Sequence, residues 1–137
     1  MIQRVQSVYL FLAAVFALLA FVFPVFSFES DITEVLNAKS DMALMILVVV
    51  TAILALFGIS QFKNRSFQQK ISLGVGLVSM ATIAYLAFKY WSISTTDLQV
   101  SPGIGGLGLL LVPIFCLLAY SAIGKDEKLV KSLDRLR

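Results

Sequence analysis

Four long apolar runs, roughly residues 5–28, 42–60, 71–90 and 104–123, limit what this chain can fold into. None carries Asp, Glu, Lys or Arg in its middle. A helix rising ~1.5 Å per residue needs about 20 apolar residues to cross a ~30 Å hydrocarbon core, and each run meets that length. Folded in water, four helices apolar all round would leave too few residues to cover them. Composition agrees, with 59% apolar and 14% charged residues, where soluble domains average about 25% charged. The expected fold class is an all-α membrane protein, an antiparallel four-transmembrane-helix bundle over residues 1–123, followed by a cytoplasmic tail over 124–137.

The opening "MIQR" supplies a short positive segment like that of a signal peptide. The apolar stretch behind it exceeds the usual ~7–15 residues, however, and no A-x-A-like cleavage site follows. The first run is therefore expected to stay as a helix. Basic residues on short loops set orientation. Arg4, Lys63, Arg65, Lys70, Lys125, Lys128, Lys131, Arg135 and Arg137 fall on one side, and only Lys39 and Lys89 on the other. This split assigns both termini and the middle loop to the cytoplasm. Tyr9 and Tyr120 would mark the inner interface, Tyr90 and Trp91 the outer one, with Lys89 snorkelling outward beside them.

The middle loop, "QFKNRSFQQK", is short enough to force the second and third runs into an antiparallel hairpin. The outer segments are longer. Trp91, Ile93 and Thr95 alternate with Ser92, Ser94 and Thr96, a period-two signal for a short strand. Its partner would come from residues 26–35. A small outer β-hairpin and irregular loops are both compatible with these segments.

Small residues let membrane helices approach closely. Ser72, Gly76 and Ser79 form one stripe on the third run, with Gly74 beside it. The stripe suits a contact within the monomer, a homodimer seam or a lipid slot. Thr82 and Tyr85 would seek partners across the bundle or one turn back. Pro113 cannot bond the carbonyl of Leu109, so a kink is expected there.

Gly103, Gly105 and Gly108 in "SPGIGGLG" match the dinucleotide fingerprint letter by letter. That device needs a strand–turn–helix unit and an acid about 20 residues on. Here Asp126 and Glu127 lie beyond the far end of a membrane helix. Gly105, Gly106 and Gly108 are read instead as helix-packing positions, thinning the start of the fourth helix. No cofactor is expected. No run carries a buried charge, the usual mark of an ion path. Asp31, Glu34, Asp41 and Asp97 fit no metal-ligand pattern and read as solvated loop acids. Histidine is absent, and Cys116 stands alone inside the fourth run.

Gly124 suggests a break, after which "KDEKLVKSLDRLR" forms an amphipathic helix. Asp126 and Glu127 suit its positive N-terminus, and Glu127 with Lys131 forms a favourable i,i+4 pair. Lys128, Leu129, Lys131, Leu133, Arg135 and Leu136 are the candidate docking residues. They would meet the anionic inner leaflet, or else dock on a partner or on the chain's own middle loop.

The opening "MIQRVQSVYLFLAA" and the closing "KDEKLVKSLDRLR", with four apolar runs between, resemble the domain of unknown function 4293 family. The resemblance covers the whole length. It implies a small four-span inner-membrane protein of Bacteroidota and no catalytic residues. The expectation is a non-enzymatic scaffold or accessory subunit. Its partners would be the lipid bilayer, a membrane or cytoplasmic protein, or further copies of itself, with no role for nucleic acid. The alternative is a lipid-binding protein or an oligomeric permeation path for small solutes.

Overall fold

The computed structural model describes residues 5–29, 34–61, 64–94 and 99–134. Among them are four helices, α1 (Val5–Leu19), α2 (Met42–Ser60), α3 (Arg65–Ser94) and α4 (Ile104–Asp134), and three strands, β1 (Phe26–Glu29), β2 (Glu34–Leu36) and β3 (Gln99–Pro102). The helices form a closed square. α1 packs on α2 and α4, and α3 packs on the same two from the opposite corner. The core is thin and made of small side chains, with Ala13, Ala14, Ala17 and Ala20 of the first run buried against Leu44, Val48, Val75 and Val112. Leu, Phe and Met side chains point outward instead, among them Phe11, Leu77, Met80, Phe88 and Leu117. Such an inverted distribution suits hydrocarbon around the bundle better than water.

Three helices, α2, α3 and the Ile104–Val130 part of α4, are long and apolar enough to cross a membrane. The first run differs from the helix expected over residues 5–28. α1 ends at Leu19, about 22 Å of helix where ~30 Å is needed. The chain then winds through a tight turn, with the Phe21 and Phe23 amides donating to the carbonyls of Leu18 and Leu19. Pro24 follows, and the residue before a proline is steered out of the helical region. Past it, β1 alternates Phe26, Ser27, Phe28 and Glu29, a period-two pattern hidden at the end of an apolar run.

β1 is the central strand of an antiparallel sheet ordered β2-β1-β3. Phe26 sits opposite Leu36 on one side and Pro102 on the other. The expected partner segment therefore does carry strands. The strand expected over residues 91–96 does not form at 91–94, and Thr95 and Thr96 lie outside the described residues. Trp91–Ser94 continues α3, and the strand is Gln99–Pro102. Once a helix is running, each further residue adds a hydrogen bond at small entropic cost, so a few alternating side chains do not stop it.

α4 also runs through the expected break at Gly124 to Asp134. Gly124 serves a contact rather than a terminus, since a Cβ there would lie 3.1 Å from Nε2 of Gln69 on α3. Two residues on, Arg65 donates from Nη1 to the Asp126 carbonyl at 3.1 Å. These contacts hold the start of α3 against α4 and leave the last two turns of α4 projecting beyond them.

Candidate functional site

Three regions concentrate polar groups, backbone contacts or open space. The first is the sheet end of the bundle, where the glycines of "SPGIGGLG" meet the turn after α1. The Gly103 amide donates to the Val25 carbonyl, and the Gly105 amide to the Pro24 carbonyl, both at 2.9 Å. The first amides of any helix lack partners within it, and these two find theirs in the turn. The approach leaves no room for a side chain. A Cβ on Gly105 would stand 2.5 Å from the Phe23 carbonyl oxygen, and one on Gly106 2.7 Å from that of Val25. Gly108 faces Phe16 further down. The Val25 amide bonds the Leu36 carbonyl, and the Ala38 amide the Ala20 carbonyl. These four bonds pair part of the irregular backbone among apolar helices, which is favoured where water is excluded.

The second region is a cluster at the start of α2. Asp41 caps the helix, its Oδ1 accepting from the amides of Ala43 and Leu44 at 3.0 and 3.2 Å. The Tyr85 hydroxyl lies 2.9 Å from both carboxylate oxygens, and Lys89 Nζ reaches Oδ2 at 2.8 Å. The Lys89 ammonium also stands 5.7 Å from the centre of the Tyr85 ring. Asp41 is therefore not the solvated loop acid expected. Only 12% of its side chain is exposed. Burial alone would push its carboxyl up, but the Lys89 ammonium, the Leu44 amide and the Tyr85 hydroxyl outweigh that and lower its pKa to about 2. Lys89 turns inward to this carboxylate instead of snorkelling. The sequence reading missed this cluster. Asp41, directly before an apolar run, was a legible cap signal, whereas its partners 44 and 48 positions away were not.

The third region is the seam between α3 and α4. Ser72 Oγ donates to the Cys116 carbonyl at 3.0 Å, and a Cβ added at Gly76 would stand 3.7 Å from Cys116 Cβ. Ser79 is buried, bonded to the Gly76 carbonyl of its own helix, as Thr82 is bonded to that of Val78. Two apolar grooves open along this seam. The larger, about 420 Å³, lies at the sheet end between Phe26, Tyr90, Trp91, Leu107 and Leu110. The smaller, about 250 Å³, lies lower, between Ser72, Gly76, Leu77, Pro113, Leu117 and Tyr120. Away from the sheet, Gln6 donates from Nε2 to Oε1 of Gln68 at 3.1 Å, across the diagonal from α1 to α3. Both glutamines are fully buried. Sequence reading passed over this pair because each stands near the end of an apolar run.

The helix-packing residues thus fall into two groups. Ser72, Gly76 and Ser79 lie on the α3 face toward α4, and Gly105, Gly106 and Gly108 lie against residues 16–25. Of the docking residues, Lys128 and Leu129 are exposed on the projecting end of α4, Leu129 at 63%. The side chains of Lys131 and Leu133, and all of Arg135 and Leu136, lie outside the described residues.

No curated protein and no solved structure matches the chain. A family model, described as a domain of unknown function (DUF4293), matches residues 2–136. With the match running nearly end to end over apolar helices long enough to cross a membrane, the chain belongs to the DUF4293 family.

Proposed function

We propose that this protein is a four-span, non-enzymatic subunit of a bacterial inner membrane, with both termini cytoplasmic, that docks a partner through the free end of α4. The observation that carries the reading is the projecting end of that helix. Past its Asp126 contact with Arg65, α4 continues to Asp134 with Leu129 and Val130 exposed and Lys128 beside them. An apolar strip among bases suits a partner helix or an acidic protein surface.

Extraction of the tagged full-length chain in mild detergent is expected to retain a stoichiometric partner. Deletion of residues 125–137 is expected to release it while the bundle still elutes as a single species. A clean monomer, with no partner crosslinked in cells, contradicts the docking role. A second reading, a lipid-binding protein, is favoured by the two grooves of the α3–α4 seam. Their apolar linings suit acyl chains better than polar solutes.

A further inference from the structure

We infer that the smaller groove holds one anionic phospholipid of the cytoplasmic leaflet, its acyl chain between α3 and α4 and its phosphate at Lys70 and Lys128. The inference deepens the lipid-binding reading and rests on the four-span orientation proposed above. The groove is lined by Ser72, Gly76 and Leu77 of α3 and by Pro113, Leu117 and Tyr120 of α4. Ser72 spends its hydroxyl on the Cys116 carbonyl, so the slot itself is a hydrocarbon surface.

Helix geometry then selects the charge. Lys70 stands seven residues before Leu77, and Lys128 eleven residues after Leu117. At 3.6 residues per turn, both spacings return to nearly the same face. The two helices run antiparallel, so both lysines are displaced from the groove in one direction, toward the Arg65–Asp126 end. That is the end assigned to the cytoplasm. Both are exposed, and neither forms an ion pair among the described residues. Tyr120 lines the slot, its hydroxyl without a protein partner among the described residues and able to donate to a phosphate or ester oxygen. Basic pockets between membrane helices on the cytoplasmic side recognise anionic headgroups by this combination. The larger groove lacks it, because Lys89 at that end is already paired with Asp41.

The test is native mass spectrometry of the full chain, purified from membranes and offered equal amounts of phosphatidylglycerol and phosphatidylethanolamine. One phosphatidylglycerol per chain is expected, preferred about thirtyfold if each lysine contributes as a base at an anionic surface does. Lys70→Gln with Lys128→Gln should bring the preference close to unity while leaving some lipid bound. Leu117→Trp, at a position already 65% exposed and so tolerant of a larger side chain, should fill the slot and abolish retention of both lipids. Gly76→Ala, with ordinary contact to Cys116, should retain the lipid. Equal retention of the two lipids by the unaltered chain, or a preference unmoved by the double lysine substitution, overturns the site. A chain that alkaline carbonate strips from membranes overturns the four-span reading and the site with it.

Discussion

Gly105→Ala is expected to cost at least about 3 kcal/mol of stability, and Gly103→Ala no less. An added methyl is usually tolerated in a protein when a neighbouring side chain can rotate away, at a cost of about 1–3 kcal/mol where it cannot. At Gly105 the neighbour is the Phe23 carbonyl, 2.5 Å from the new Cβ, and it belongs to a backbone held on both sides. Retreat would separate the Gly103 and Gly105 amides from Val25 and Pro24. Each unpaired backbone group in a dry setting costs roughly 1–3 kcal/mol more. Gly74→Ala is the internal control. Nothing lies within 4 Å of its added methyl, so the change should be neutral or stabilising by up to ~1 kcal/mol through helix propensity. Thermal unfolding followed by fluorescence-detected size exclusion in one detergent compares the variants directly. Equal melting of Gly105→Ala and Gly74→Ala would mean that the turn after α1 does not sit on α4.

Asp41→Ala should be the most damaging substitution of a polar side chain, at about 2–4 kcal/mol. It removes a helix cap, about 1 kcal/mol by itself, and strands the Tyr85 hydroxyl and the Lys89 ammonium between α2 and α3. Lys89 keeps 34% of its side chain exposed, so solvent screens its share of the loss. Asp41→Asn keeps a cap and an acceptor for Tyr85 but no charge, and should fall between.

The pH dependence has a definite sign. The folded carboxyl titrates at about 2 against an ordinary 3.8. Its contribution, roughly 2 kcal/mol, is therefore complete above the ordinary value and disappears as pH falls through the folded one. Unfolding curves of the unaltered chain and Asp41→Asn should differ at neutral pH and converge as pH drops from about 4 to about 2. A gap that stays constant over that window means the charge of Asp41 contributes nothing.

Hydropathy made the helical cores of α2, α3 and α4 legible, because only a helix pairs every backbone group within one apolar segment. The same measure misjudged residues 5–28, since the turn and the start of the strand that follow α1 are as apolar in sequence as a helix. Two local signals were present there, Pro24 and the alternation of Phe26 to Glu29. Glycine was ambiguous for a related reason. At 124, where it read as a break, it admits Gln69, and at 105, where it read as a packing position, it admits a carbonyl. The alanine face of the first run, Ala13, Ala14, Ala17 and Ala20, has the spacing that drew attention to Ser72, Gly76 and Ser79, and it forms more of the core. What no local pattern encodes is pairing at long range. Gln6 with Gln68, and Asp41 with Tyr85 and Lys89, become neighbours only when the helix square closes.

The central claim is that the first run crosses the membrane although only 15 residues of it are helical, with the turn on the α4 glycines completing the span. Side-specific thiol labelling tests it most directly. Single cysteines at Gln3→Cys, Lys39→Cys and Ser132→Cys, each with Cys116→Ser, are exposed to an impermeant maleimide in intact spheroplasts and in inverted vesicles. Positions 3 and 132 should label only in inverted vesicles, and position 39 only in spheroplasts. Labelling of positions 3 and 39 from the same side would contradict the account.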